Sequence, residues 1–110
     1  MIQERLDEIQ TKVQGASNIP DETKGQLLAL IADLKREVGA LAATHNEQAQ
    51  AIAHYTDVTT REATRPDKQP GELDAAIEEL TASVGGFEST HPKLTEIVNR
   101  LAVTFSGVGI

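Results

Sequence analysis

Apolar residues recur along this chain at alternating intervals of three and four, the spacing that places side chains on one face of an α-helix. The first such stripe predicts helix 1 over about residues 2–15, before Gly15 and the Ser17-Asn18 pair interrupt the pattern. The stripe consists of Ile2, Leu6, Ile9, Val13 and Ala16. We expect this amphipathic helix to bury its apolar side against the rest of the chain.

The longest stripe follows Pro20, which suits the first turn of a helix because the backbone N–H that proline lacks would be unpaired there. The spacing continues for about four heptads and predicts a coiled-coil-like helix 2 over about residues 20–62. We expect the stripe to form an oligomer interface, and its members are Leu27, Ile31, Leu34, Val38, Leu41, His45, Gln48, Ile52 and Tyr55.

The length of helix 2 is the reason for expecting an oligomer. A continuous helix of this extent is about 65 Å long, whereas each of the other predicted helices spans roughly 20–30 Å. The shorter helices leave the stripe from His45 to Tyr55 uncovered, so we expect a second copy to cover it as a two-fold dimer. The alternative is a break near Gly39 or at Thr44-His45-Asn46, which gives a compact monomeric bundle of five short helices.

The residues after Tyr55 predict a connection. They are polar and rich in threonine, and Pro66 and Pro70 cannot continue a helix. We interpret residues 56–71 as a fraying helix end followed by a linker at about 63–70.

Two further stripes predict helix 3 over about residues 70–88 and helix 4 over about 92–106. Within helix 3, Gly85-Gly86 marks either a close approach of another helix or an early helix end with Phe87 packing from a turn. The stripes are Leu73, Ile77, Leu80, Val84 and Phe87 in helix 3, and Leu94, Val98, Leu101 and Phe105 in helix 4.

No segment alternates between polar and apolar residues for long enough to predict a strand. The pattern therefore predicts one all-α domain over residues 1–110, a bundle of four amphipathic helices with a long, coiled-coil-like second helix, assembled as an oligomer.

Composition narrows the classes of function for these 110 residues. The absence of cysteine excludes disulfides, thiolate zinc sites and a cysteine nucleophile. A net charge of −7 argues against nucleic acid as a partner, because nucleic-acid-binding proteins usually carry a basic face. No apolar run approaches the roughly 20 residues that span a bilayer, and the polar-interleaved N-terminal residues do not resemble a signal peptide. We expect no membrane partner and a cytoplasmic location.

Acidic residues are concentrated between positions 67 and 88, which contain six acids and one base. The acids are Asp67, Glu72, Asp74, Glu78, Glu79 and Glu88. They form either a solvated helix face that keeps the protein in solution or a docking face for a basic partner.

The three histidines are the residues most capable of chemistry. His45 and His54 lie nine residues apart and point in opposing directions on one helix, so they cannot share a metal within one chain. His45 is predicted to form a polar layer with Gln48, or to meet its own copy in a second chain as a metal site or pH switch. Glu88-x-x-His91 has the spacing of di-metal bundle ligands, but no glutamate occupies a predicted core position. We expect His91 to cap helix 4.

The C-terminal region carries the motif Phe87-Glu88-Ser89-Thr90-His91-Pro92-Lys93-Leu94-Thr95, then Asn99-Arg100-Leu101 and the ending Gly107-Val108-Gly109-Ile110. These residues resemble a small bacterial helical family, domain-of-unknown-function family four-four-zero-four, over roughly residues 1–41 and 73–110. The resemblance implies a bacterial, helical and cytoplasmic protein, and it implies no activity, substrate or catalytic residue.

We find no catalytic, cofactor-binding or metal-binding residue set in the sequence and expect no enzyme activity and no cofactor. The expected function is that of a self-associating structural or protein-interaction module. The alternative is a small-ligand or metal-binding bundle that uses histidines.

Overall fold

The computed structural model describes residues 2–67 and 69–108, and these residues form five α-helices and no β-strand. The prediction of an all-α fold is confirmed, whereas the prediction of four helices is wrong. The helices are α1 (Ile2–Gly15), α2 (Asp21–Ala42), α3 (Asn46–Thr64), α4 (Pro70–Ala82) and α5 (Pro92–Val108). Gly109 and Ile110 of the C-terminal motif, and Lys68 of the predicted linker, lie outside the described residues.

The predicted continuous helix over residues 20–62 is wrong, because the chain turns back between α2 and α3. Ala43 keeps helical dihedral angles (φ −62°, ψ −32°), and the N–H of His45 still donates to the carbonyl of Leu41 at 2.8 Å. His45 itself has φ −135° and ψ 62° and takes the chain out of the helix. The turn therefore lies at one of the two places that the alternative interpretation named.

The two halves of the predicted long helix form the centre of the bundle. α2 packs against α1, α3 and α5, and α3 packs against α1, α2, α4 and α5. α4 and α5 also pack against each other. Folding back brings the stripe of α2 and that of α3 into one shared core.

One chain covers its own hydrophobic stripes. The accessible surface is 5940 Å², and a compact monomer of 11.8 kDa is expected to expose roughly 5900 Å². The Cα radius of gyration is 12.9 Å, close to the roughly 13 Å expected for a folded domain of this length. The second copy that was predicted to cover an exposed stripe is therefore not needed for that purpose, while association itself stays a prediction.

The threonine-rich residues after Tyr55 continue α3 as far as Thr64, so the expected fraying end is wrong. A connection does follow where the linker was predicted, between Thr64 and Pro70. Thr56, Thr59 and Thr60 are completely buried. Each donates its hydroxyl to the carbonyl four residues earlier, at 2.8 Å in all three cases. Because the hydroxyl is satisfied within the helix, the methyl group can face the core.

A buried carboxylate also belongs to this half of α3. Asp57 is 7% exposed and pairs with Lys12 of α1 at 3.3 Å and with Arg61 one helical turn further on at 3.0 Å. The amide of Asn18 donates to the carbonyl of Ala63 at 3.0 Å. These polar contacts tie α1 and its following loop to α3.

α4 is shorter than predicted: it ends at Ala82 and not near residue 88. The hydroxyl of Ser83 donates to the carbonyl of Leu80 at 2.6 Å, and Gly85 and Gly86 lie in the turn that follows. Phe87 is half-buried and packs against the core from this turn. Of the two interpretations of the glycine pair, the early helix end is the one observed.

Candidate functional site

The residues predicted to form an oligomer interface lie mostly inside the single chain. Six of them are at most 1% exposed: Leu27, Ile31, Leu34, Val38, Leu41 and Ile52. His45 and Tyr55 are half-buried, and Gln48 is exposed. In this fold the six apolar residues contact the chain's own core, so they are not available to a second copy unless the bundle opens.

An open groove runs along the outer side of α2 and α5. It has a volume of about 870 Å³, and its apolar lining comes from Ala29 and Leu30 of α2 and from Pro92 and Val103 of α5. Val103 is 74% exposed and is the large hydrophobic side chain that the described part of the chain leaves to solvent. The groove thus exposes an apolar surface that includes Val103.

Charged residues line the same groove. On α5, Arg100 pairs with Glu96 at 3.3 Å, and the two side chains are 67% and 62% exposed. On α2, Asp33 pairs with Arg36. The α5 wall therefore carries both signs of charge and is open to partners outside the chain, whereas Asp33 is the charged residue that α2 contributes to the lining.

Sequence reasoning missed Val103 as an interaction residue. The only signal for it in the sequence is that it stands outside the stripe of Leu94, Val98, Leu101 and Phe105. A single apolar residue on a polar helix face is common, and only the neighbouring wall of α2 turns this one into part of a groove.

A second cluster joins two histidines and a phenylalanine at one end of the bundle. The ring centres of His45 and His91 are 6.0 Å apart, and Phe87 lies edge-on to both, at 5.7 Å from His45 and 5.3 Å from His91. His45 belongs to the α2–α3 turn, whereas Phe87 and His91 belong to the connection between α4 and α5. The cluster therefore links these two connections.

Each histidine of the cluster is oriented by the threonine before it. The Nδ1 atom of His45 lies 2.8 Å from the hydroxyl of Thr44, and that of His91 lies 3.0 Å from the hydroxyl of Thr90. The carbonyl of His91 accepts the N–H of Thr95 at 3.2 Å, which places His91 at the start of α5 as its predicted capping role requires.

The sequence did not indicate that His45 and His91 meet. His54, the third histidine, is exposed on α3, where its ring contacts Tyr55 and its Nδ1 atom lies 3.3 Å from Arg5. His45 and His91 are far apart along the chain, and the turn at residues 43–45 brings them together. In a straight helix 2 the ring of His45 would face its own stripe instead.

Arg65 organises the connection between α3 and α4. Its guanidinium donates to Glu62 and Glu72, both at 3.0 Å, and to Asp67 at 3.3 Å. The hydrogen bond from Arg65, aided by a backbone hydrogen bond and by the attraction of the charges, lowers the pKa of the Asp67 carboxyl below its ordinary value of 3.8. The same bond raises the pKa of Arg65. Arg65 therefore links the end of α3, the connection and the start of α4 through ion pairs.

The six acids between positions 67 and 88 are all exposed. Asp67 and Glu72 pair with Arg65, which leaves the α4 acids Asp74, Glu78 and Glu79 to solvent. This arrangement fits a solvated helix face, and docking of a basic partner there stays a prediction.

Within residues 2–67 and 69–108, no group of three or more histidine, aspartate or glutamate side chains is placed to hold a metal ion. None of the described helices is both long and apolar enough to cross a bilayer.

No protein family, curated protein or solved structure matches this chain. The resemblance to the bacterial family that the C-terminal motif suggests therefore stays a prediction.

Proposed function

We propose that this chain is a non-enzymatic, self-associating helical module with a structural or protein-interaction role, and that a second copy binds along the α2–α5 groove. The observation that carries the proposal is Val103, which is 74% exposed in a groove whose walls are both helical. A helix of a partner can cover such a surface with its own outer face. A cytoplasmic location belongs to the same proposal.

The charges of α5 favour a second copy as the occupant. When two α5 helices cross antiparallel on a two-fold axis at the level of residue 98, Glu96 of each copy lies opposite Arg100 of the other. In the same arrangement Val103 of one copy lies near Pro92 of the other. The exposed surface of α5 is thus complementary to itself in charge and apolar character.

We expect this association to be a monomer–dimer equilibrium. The chain already exposes no more surface than a monomer of its mass should, so its core is complete without a partner. An interface of standard size covers about 800 Å² per partner, which is a small part of the 5940 Å² that one chain exposes. We therefore expect the dimer fraction to rise with concentration.

Sedimentation equilibrium across a concentration series tests the proposal. In V103E a charge enters the groove, and we expect the dissociation constant to rise by at least about tenfold. The matched control is A75E, which adds the same charge to an exposed site on α4, outside the groove. A wild-type mass that stays at 11.8 kDa up to about millimolar concentration would contradict the proposal.

Charge exchange tests the orientation of the two copies. E96R and R100E should each weaken the dimer, because each places like charges opposite one another across the two-fold axis. The double variant E96R/R100E restores opposite charges both within and between copies and should recover most of the association. No recovery in the double variant would rule out this antiparallel pairing.

A further inference from the structure

The α2–α3 turn differs in sequence from the other connections. Pro20 precedes α2, Pro66 lies between α3 and α4, and Pro70 and Pro92 are the first residues of α4 and α5. A proline in those positions cannot continue the preceding helix, because it lacks an N–H and clashes with the carbonyl four residues earlier. The α2–α3 turn, residues 43–45, contains neither proline nor glycine. Its sequence can therefore adopt either a turn or a helix.

The turn is also close to helical in structure. Ala43 has helical dihedral angles, and the bond from the His45 N–H to the Leu41 carbonyl is the i to i−4 bond of an α-helix. If His45 adopted helical angles, the first N–H groups of α3 would gain carbonyl acceptors four residues earlier, in place of the unpaired state of a helix N-terminus. Straightening thus adds backbone hydrogen bonds that the bent form lacks.

The hydrophobic stripe runs through the turn without a change of register. Leu41, His45, Gln48 and Ile52 follow one another at intervals of four, three and four. In a straight helix the buried residues of α2 and α3 would therefore lie on one side, as in a coiled coil. The register of the stripe is thus compatible with a continuous helix, and contacts elsewhere in the chain decide whether the bend forms.

Contacts outside the turn hold the bent form. The ring of His45 packs edge-on against Phe87 and His91 at 5.7 and 6.0 Å, and α2 packs along α3. The helices before the turn meet the helices after it through the α1–α3, α2–α3 and α2–α5 contacts. All three of these contacts can form equally well between two chains.

We propose that the α2–α3 turn is a hinge through which two copies of this chain exchange their α1–α2 halves. In the exchanged dimer α2 and α3 become one helix from Asp21 to Thr64, about 66 Å long, and each α1–α2 half packs on the α3–α5 half of the other copy. The contacts between the halves are remade across the chains, so the two forms differ mainly at the hinge and in the cost of association. This exchange does not depend on the α2–α5 groove.

The variant N46P is designed to prevent the exchange. Residue 46 is the first residue of α3, a position at which proline is favoured. Gln69 precedes Pro70 with φ −126° and ψ 87°, near the φ −135° and ψ 62° of His45, so the bent turn accommodates proline after it. In the straight helix the ring would clash with the carbonyl of Ala42, and we expect the exchanged dimer to be disfavoured at least about a hundredfold per hinge. N46A is the matched control and should keep the wild-type behaviour.

The variant H45A is designed to favour the exchange. It removes the ring contacts with Phe87 and His91 and places the best helix-forming residue at the hinge. We expect the fraction of exchanged dimer after refolding at high concentration to rise, with an association constant about tenfold above that of the wild type or more. Refolding from denaturant is used because the exchange requires the halves to separate.

Spin labels on cysteines introduced at Glu22 and His54 measure the hinge directly, since the chain has no cysteine of its own. In the bent chain the two positions lie closer together, because α3 turns back beside α2 and the molecule extends only 38 Å along its longest principal axis. In the straight helix they are about 48 Å apart. Labelled chains are diluted with an excess of unlabelled chains before refolding, so that only the distance within one chain is read.

The expected result is an intrachain distance near 48 Å in the isolated dimer and a shorter one in the monomer, with the dimer enriched in H45A and lost in N46P. An exchanged dimer should also survive V103E, which separates this proposal from association through the groove. The proposal is overturned if the dimer keeps the short distance, if N46P and N46A refold to the same dimer fraction, or if wild type and H45A yield only monomer. The distance measured in the wild type decides the matter even if a variant fails to fold.

Discussion

At the scale of single residues, the threonines of α3 show how a polar sequence can supply a core. Thr56 and Thr60 are fully buried, yet no buried side-chain nitrogen or oxygen among the described residues lacks a hydrogen-bond partner. Each hydroxyl bonds to a carbonyl of its own helix, so burial leaves no polar atom unsatisfied. We infer that the methyl group is the part of the side chain that packs against the neighbouring helices, as a methyl group of valine would.

Substitutions at Thr60 test this interpretation through the free energy of unfolding in denaturant. T60S removes the buried methyl group and should destabilise the protein by about 1 kcal/mol. T60V removes only a hydroxyl bond made within the helix and should stay within about 1 kcal/mol of the wild type. Thr11 provides the control, because its hydroxyl makes the same type of bond, to Asp7, on an exposed face of α1, so T11S should change little. If T60V proved much worse than T60S, the hydroxyl rather than the methyl would be the buried group that matters.

These threonines also explain a failure of prediction from sequence. When Thr56 to Arg65 are counted as polar, the second half of α3 has no apolar face, and the helix is predicted to fray after Tyr55. The hydrogen bond that makes a threonine compatible with the core forms only once the helix exists. The pattern of polar and apolar residues therefore does not show that these threonines can be buried.

At the scale of elements, the starts of α2, α4 and α5 were predicted well, whereas the ends of α2 and α4 were not. Prolines fix the starts of α2, α4 and α5, because their ring excludes the preceding residues from the same helix. The bounds of α1 coincide with its stripe, which Gly15 ends. The ends of α2 and α4 depend on contacts that span the chain, as the packing of His45 and Phe87 at the two turns shows.

The same limit applies to the candidate site. The stripe identified Leu27 to Ile52 as residues that must be covered, and it did not say by what. Because the helix bends, the covering surface is the chain itself. The groove beside Val103 and the contact between His45 and His91 both arise from the bend, so neither could be read from spacing along a straight helix.

Arg65 joins the end of α3 to Asp67 and to Glu72 at the start of α4. Its effect can be measured through the carboxyl pKa of Asp67. The carboxyl pKa of Asp67 is lowered in the folded chain, so the pairing contributes stability above the ordinary pKa of 3.8, and this contribution is lost as the pH falls through the folded value. In R65Q the pKa of Asp67 should rise toward 3.8 when carboxyl resonances are followed by NMR. R61Q is the matched control, because Arg61 pairs with Asp57 instead. An unchanged Asp67 pKa in R65Q would show that the backbone, and not Arg65, sets it.

At the scale of the whole molecule, the bend between α2 and α3 determines how the apolar surface of the predicted helix 2 is covered. A straight helix 2 is too long for three short helices to cover, whereas two halves lying side by side cover each other. α1 then contacts both halves, and α5 also contacts both. The core needs few aromatic residues for this reason: Phe105 is the fully buried one, and leucine, isoleucine and valine fill most of the remaining space.

Small-angle scattering on dilute protein tests the bent, self-covered monomer against the straight form. The bent chain has a Cα radius of gyration of 12.9 Å, to which side chains and hydration add slightly. A chain with one continuous helix of about 66 Å cannot be so small, because a rod of that length alone has a radius of gyration of about 19 Å. We expect the value measured at low concentration to lie near the compact one and to rise only where the mass also rises. A dilute sample with the mass of one chain and a radius near 19 Å would mean that the bend does not form, and the common core of α2 and α3 would be lost with it.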